Sequence, residues 1–143
     1  MFVAFLFILF GISGCSNIPD EPPNVSVEIK NQTIDASRGG YKWETKGLFS
    51  NRGVIADAAD PISIGEGLIA QSVEPNSIAT VKFSDGSNPT ITANLWEGQN
   101  QTKTLPVKDS EITLPSDKGK HVIGIFAKWK NGRALYTFVI EVK

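Results

Sequence analysis

Three residue types that often build catalytic and metal sites are nearly absent from this chain of 143 residues, which has one Cys, one His and one Met. A single Cys can form neither an internal disulfide nor a cysteine-based metal cluster. A Ser-His-Asp triad needs its His beside an acid and a nucleophile. The strand pairing predicted below leaves His121 opposite Val142 with no fixed acid. We therefore predict no cofactor, no metal and no enzymatic activity.

Neither sign of charge dominates the sequence. It contains 14 Lys and Arg residues and 15 Asp and Glu residues, which gives a formal net charge of −1. A chain so balanced has no overall positive field that would attract nucleic acid or an anionic bilayer. We therefore predict no nucleic-acid partner. A local basic patch is not excluded, because net charge carries no information about distribution.

No apolar run is long enough to cross a bilayer as a helix, which takes about 20 residues. Residues 1–10 (MFVAFLFILF) contain no polar side chain, and such a length is typical of the apolar region of a signal peptide. Small residues follow, and polarity rises abruptly at Ser16 and Asn17. The pattern indicates an export signal.

The motif Ile12-Ser13-Gly14-Cys15 at the end of this run resembles a lipobox, the processing site of bacterial lipoproteins. The resemblance implies diacylglycerol on the thiol of Cys15, cleavage after Gly14, and a membrane partner reached through that lipid. It also implies a location on the outer face of the bacterial cytoplasmic membrane. Two acyl chains are sufficient for stable anchoring. No Lys or Arg precedes the apolar run, and an upstream start codon would supply one.

Three segments follow from this interpretation. Residues 1–14 are predicted to be the signal peptide, and residues 15–24 the lipidated Cys with an extended tether. The stretch SNIPDEPPN within that tether has three prolines and two acids in nine residues, which favours an extended, solvated chain. Residues 25–143 are predicted to form the folded domain.

The folded domain reads as all-β. Val25, Val27 and Ile29 alternate with polar residues, as in a strand with one buried face. Asn131-Gly132 predicts a type I′ hairpin between residues 121–130 and 133–142, in which Lys130 pairs with Arg133. No stretch predicts a convincing helix, because glycines weaken residues 64–73, the best candidate.

Short strands separated by turn signals predict an antiparallel two-sheet sandwich of the immunoglobulin-like kind. The Cys…Trp…Cys pattern of antibody domains is absent. With its lipobox, the chain is similar to small uncharacterised lipoproteins of Gram-positive bacteria, in which such a sandwich follows the anchor.

Two groups of side chains are candidates for a site. Asp57, Asp60 and Glu66 lie in a loop-like stretch that offers oxygen ligands to Ca²⁺, but their spacing matches no EF-hand and a plain turn is favoured. The second group is aromatic and is interpreted as a binding surface for sugar or protein, or as ordinary core packing, which is favoured. Its members are Tyr41, Trp43 and Trp96.

Several cations cluster in the C-terminal hairpin. They are Lys118, Lys120, Lys128, Lys130 and Arg133. Contact with anionic lipid or wall polymer is one interpretation. Protection of an edge strand against aggregation is the other, and it is favoured.

The predicted function is a membrane-anchored binding or accessory module without catalysis, whose ligand is a protein or a wall polymer. One alternative is a regulatory or inhibitory subunit of a membrane complex, which an exposed apolar patch around Trp43 or Phe49 would favour. The other is an enzyme acting on cell wall or glycan, which requires two carboxylates on either side of the scissile bond.

Overall fold

The computed structural model describes residues 20–47 and 49–143. The predicted signal peptide, the lipobox and Cys15 lie outside the described residues. The described part contains strands and one short helix, and their bounds are β1 (Val25–Ile29), β2 (Gln32–Lys46), β3 (Asn51–Ala56), α1 (Pro61–Glu66), β4 (Gln71–Val73), β5 (Ile78–Phe83), β6 (Thr90–Glu97), β7 (Asn100–Leu105), β8 (Val107–Lys108), β9 (Glu111–Thr113), β10 (Gly119–Trp129) and β11 (Gly132–Val142).

The predicted two-sheet sandwich is wrong. Nine strands form one antiparallel sheet in the order β7-β6-β10-β11-β2-β1-β5-β9-β8, which nearly closes into a barrel. Strand β3 pairs with β2, and β4 runs parallel to β11 outside this path. Sequence alternation predicts that one face of each strand is buried, but it does not say which strands share a sheet.

Two features of the chain bring the sheet round on itself. Strand β2 is 15 residues long, and it pairs with β1 through Gln32 to Ala36 and with β11 through Ser37 to Trp43. The two ends of the path, β7 and β8, are consecutive in the chain and separated by Pro106. Proline has no N–H to donate to a strand ladder, so the ladder is interrupted there.

The core fills the interior of the curved sheet. Four aromatic rings form a continuous series of edge-to-face contacts through it: Trp43 to Trp129 at 5.2 Å, Trp129 to Phe83 at 5.2 Å, and Phe83 to Tyr136 at 6.1 Å. Such pairs add stability beyond the area that they bury. Strands from both halves of the sheet are thereby joined through one core.

Helix α1 covers part of the outer face of the sheet, contrary to the prediction of no helix. Asp60 caps it by accepting a hydrogen bond from the Ser63 backbone N–H, and Pro61 opens the first turn. A Cβ on Gly65 would lie 3.1 Å from Val122 and 3.3 Å from Val139. The glycine that lowers helix propensity thus permits the helix to lie close against β10 and β11.

The C-terminal hairpin forms, but its predicted register is wrong. Trp129 pairs with Gly132 across a loop of Lys130 and Asn131, and His121 faces Ile140. None of the loop residues has the positive φ of a type I′ turn. The shift moves each pairing by two residues, so the inward-facing residues stay inward.

Close contact between strands explains the glycine at position 132. A Cβ there would lie 2.4 Å from the carbonyl oxygen of Lys42 and 2.6 Å from the ring of Trp43. Backbone and side-chain groups of Asn131 also exchange hydrogen bonds with Glu44, at 2.8 and 3.1 Å. The glycine therefore serves the β2–β11 contact, which is invisible in the local sequence.

We expect Gly132→Ala to destabilise the domain by about 1–3 kcal/mol, because the new methyl group must push β11 away from β2. Gly53→Ala is the matched control, since a Cβ on Gly53 meets nothing within 4 Å. Urea denaturation followed by circular dichroism measures both. Equal unfolding midpoints for the two variants would contradict the proposed role of Gly132.

Candidate functional site

A row of side chains crosses the outer face of the sheet near the β10–β11 hairpin. Ile55 lies opposite Lys42, Lys42 opposite Arg133, and Arg133 opposite Lys128, on the adjacent strands β3, β2, β11 and β10. All four are exposed, whereas the next residues along β2, β10 and β11, Trp43 among them, pack in or against the core. We call Lys42, Arg133 and Lys128 the basic row.

No ion pair within residues 20–47 and 49–143 neutralises the basic row. Like charges directly opposite each other on neighbouring strands destabilise a sheet. The ion pairs found within residues 20–47 and 49–143 lie elsewhere, and they are Lys30–Glu74, Arg38–Glu21, Arg52–Asp20 and Lys82–Glu28. The row therefore attracts anions without first having to break an ion pair.

A shallow cavity of about 180 Å³ lies over this row. Lys130 adds a further cation to its rim, and Glu44 is the one carboxylate among the residues that line it. Although the chain as a whole has a net charge of −1, this end of the sheet is clearly positive. The chemistry that fits here is an anionic surface or group.

The topology removes the favoured explanation for the hairpin cations. Strands β10 and β11 are both internal to the sheet, so Lys128 and Arg133 do not protect an edge. Lys120 lies near the far end of the hairpin, opposite Glu141. The predicted cluster is thus divided between the two ends of the strands: Lys120 faces an acidic residue, whereas Lys128 and Arg133 face each other.

The β2–β3 turn lies beside the basic row and exposes an aromatic ring. The Gly47 N–H donates to the carbonyl oxygen of Ser50 at 2.8 Å, which closes a tight turn. Phe49 within it is fully exposed, at 101% of its reference area. Lys46 and Arg52 stand on the two strands that lead into this turn.

The segment before β1 joins the sheet at this same end. Asp20 lies 3.8 Å from Arg52, which pairs with Thr45 near the β2–β3 turn. The Arg38 guanidinium donates to the Pro22 carbonyl at 2.6 Å and to the Glu21 carboxylate at 2.9 Å. The last residues of the predicted tether therefore lie against the domain.

Tyr136 anchors the same segment from inside the core. Its ring is fully buried, and its hydroxyl donates to the carbonyl oxygen of Pro23 at 2.7 Å. Burial raises the pKa of the Tyr136 hydroxyl well above its usual value, with a smaller contribution from Asp85, while Arg38 opposes the rise. The hydroxyl thus remains a donor at any physiological pH.

The three aromatic candidates do not form one surface. Trp43 is only 5% exposed and packs on Trp129, so its ring offers little area to a ligand. Tyr41 is half-buried, with the Arg38 guanidinium 5.5 Å from its ring centre. Trp96 lies on the opposite face of the sheet, and its buried Nε1 has no hydrogen-bond partner in the part of the chain that the structure describes.

The three candidate calcium ligands also have different environments. Asp60 accepts from the backbone N–H and the hydroxyl of Ser63, at 3.0 and 2.9 Å, and these bonds lower its pKa. Asp57 and Glu66 are exposed. Among the described residues, no three His, Cys, Asp or Glu side chains are grouped to hold a metal. His121 Nε2 lies 2.7 Å from the carbonyl oxygen of Asp117.

Some site residues were missed by sequence reasoning. Lys42 and Ile55 join the basic row only through strand register, so no local signal marks them. The turn containing Phe49 does have a signal, because an apolar pair at positions 48–49 lies between Gly47 and Ser50. Apolar residues are unusual in a turn with cations on both sides.

The comparisons with known proteins give no relative: no family model, no curated protein and no solved structure matches this chain. Within residues 20–47 and 49–143, no helix has the length and apolarity that a membrane span requires.

Replacing Arg133 with Gln removes two like-charge contacts, and we expect the free energy of unfolding to rise by about 0.2–1 kcal/mol at low salt. The gain should vanish near 1 M salt, where the screening length is about 3 Å. Lys82→Gln is the control, because Lys82 pairs with Glu28 at 3.0 Å and its loss should not stabilise the domain. A gain for Arg133→Gln that is independent of salt would argue against charge repulsion.

Tyr136→Phe should cost about 0.5–1.5 kcal/mol at neutral pH, because the Pro23 carbonyl loses its donor. Since the folded pKa of Tyr136 is raised, the unfolded state ionises first, and the wild type loses stability as pH rises through about 10. The difference in unfolding free energy between wild type and Tyr136→Phe should therefore shrink above that pH. Denaturation at pH 7 and pH 11 measures it, and a constant difference would refute the assignment.

Proposed function

We propose that this chain is a lipoprotein of the outer face of the bacterial cytoplasmic membrane, held by lipid on Cys15, with its β-domain as a non-catalytic binding or accessory module. The observation that carries the proposal is the position of Asp20. This residue lies at the basic end of the sheet, beside Arg52, and five positions after the lipobox Cys.

Covalent geometry limits how far the domain can stand from such an anchor. Five residues span at most about 18 Å when fully extended. The contacts of Arg38 and Tyr136 with residues 21–23 fix the point from which that distance is counted. A lipid on Cys15 would therefore keep the basic end close to the bilayer, with the far end of β11 directed away from it.

A binding module needs a surface whose charged or polar groups have no bonding partner in the free protein. The basic row is such a surface, because its three cations oppose one another and form no ion pair within the described residues. This supports binding and gives no reason to invoke catalysis. Asp60 is already engaged by Ser63, so we do not propose the glycan-acting enzyme.

A second candidate, the regulatory subunit of a membrane complex, is favoured by apolar exposure at two places, of which Phe49 is the first. Ile69 is 81% exposed beside a groove of about 320 Å³ that Leu68, Phe138 and Val139 also line. Exposed apolar side chains next to a groove are typical of protein contacts. This groove lies towards the end of the molecule away from the basic row.

The test compares wild type with Cys15→Ala by intact mass and membrane fractionation in a bacterial host, with Ser16→Ala as the matched control. We expect wild type and Ser16→Ala to lose residues 1–14, gain the diacylglyceryl mass and sediment with membranes. Cys15→Ala should show neither the cleavage nor the lipid. If wild type keeps residues 1–14 and carries no lipid, the proposed function is wrong.

A further inference from the structure

We propose that the basic end of the domain is itself a membrane-contact surface, in which Phe49 inserts into the interface of an anionic bilayer while the basic row contacts lipid headgroups. This inference rests on the proposed function, since the lipid on Cys15 is what brings this end to the membrane. It adds a specific docking surface and an orientation that the anchor alone does not supply.

Apolar exposure at this end is the first argument. Phe49 is 101% exposed on a tight turn, and Ile55 is 71% exposed next to Lys42 in the row. A Cβ on Gly47 would lie 2.7 Å from the Ser50 carbonyl oxygen, so a larger residue at position 47 would force this turn to shift. Aromatic rings projecting beside cations are suited to the boundary between headgroups and acyl chains.

Charge is the second argument. The cations of the basic row lie on three adjacent strands, about 5 Å apart in the backbone. Lys46 and Lys130 extend the positive surface towards the turn and the hairpin loop. Attraction of such a group to an anionic leaflet acts within a screening length of about 8 Å at physiological salt. The surface must therefore be held near the bilayer for its charge to matter.

The position of the anchor meets this requirement. Asp20 contacts Arg52, which pairs with Thr45 close to the β2–β3 turn, at the same end of the sheet as the basic row and on the other face of β3 from Ile55. A tether of at most about 18 Å from this point gives the surface a high effective concentration at the bilayer, so that weak contacts are populated. The same short reach prevents the domain from turning its other end to the membrane without releasing residues 21–23 from Arg38 and Tyr136.

A bilayer accounts for more of this surface than a soluble polyanion does. A soluble polyanion would neutralise the basic row but would leave Phe49 and Ile55 in water. A lipid interface offers anionic headgroups and an apolar layer a few ångströms apart, which matches the cations and the apolar side chains of Phe49 and Ile55 at one end of the sheet.

The contact also sets the orientation of the domain. Strand β11 runs from Arg133 at the membrane side to Val142, about 30 Å away at the rise of a strand. The groove beside Ile69 would then face away from the bilayer and remain open to a partner.

The test places an environment-sensitive fluorophore at position 49 of the full lipidated protein. In Phe49→Cys the new thiol is the single reactive one, because the sulfur of Cys15 is blocked by its lipid. Ile69→Cys is the matched control, an exposed isoleucine distant from the basic row. Both proteins are reconstituted in vesicles of phosphatidylcholine alone or of an equal mixture of phosphatidylcholine and phosphatidylglycerol, and intact mass confirms the lipid and one label.

We expect the emission at position 49 to shift to shorter wavelength in the anionic vesicles, less so in phosphatidylcholine, and not at all at position 69. Adding Lys42→Gln and Arg133→Gln should reduce the shift, whereas Lys118→Gln and Lys120→Gln should leave it unchanged. Thermal unfolding of each variant confirms that the fold is retained.

Three results would overturn the inference. A lipidated protein whose label at position 49 stays in water refutes the membrane contact and leaves the proposed function intact. If the protein carries no lipid on Cys15, both the proposed function and this inference are wrong. The intact mass of the protein identifies that case. Binding of inorganic polyphosphate to the basic row, with position 49 unchanged in vesicles, would assign the row to a soluble polyanion.

Discussion

The pairing of β2 with β11 is the contact on which most of the molecule depends. Gly132 lets the two backbones approach so closely that no Cβ could fit between them. That approach places Trp43 against Trp129 in the core and Lys42 opposite Arg133 on the outer face. Core and surface are thus consequences of one register, because alternate residues of a strand point to opposite faces.

The outer face carries a small stability cost that the core offsets. Opposed cations on adjacent strands destabilise the sheet, while the aromatic series from Trp43 to Tyr136 stabilises it from within. A surface that is unfavourable in the free protein becomes favourable once anions neutralise it. In this way an interaction site persists on a domain that gains nothing from it in isolation.

Under the proposed function, the N-terminal segment links the fold to the membrane anchor. Residues 20–24 were predicted to be spacer, and the structure places them against the domain through Arg38, Arg52 and Tyr136. A segment held in this way transmits the position of an anchor to the domain, whereas a free linker of similar length would leave the domain rotating. With the proposed lipid on Cys15, these few contacts would set the direction in which the proposed binding surfaces face.

Local sequence determined several of the strands and the C-terminal hairpin of this protein, because alternation and turn chemistry are properties of neighbouring residues. It also placed the inward face of β10 and β11 correctly despite the shifted register. Only the tertiary structure decided that one sheet closes on itself, that Gly132 serves a contact rather than a turn, and that Lys42 joins Arg133 and Lys128. These depend on which distant strands meet, and pairing between strands leaves no mark within either strand alone.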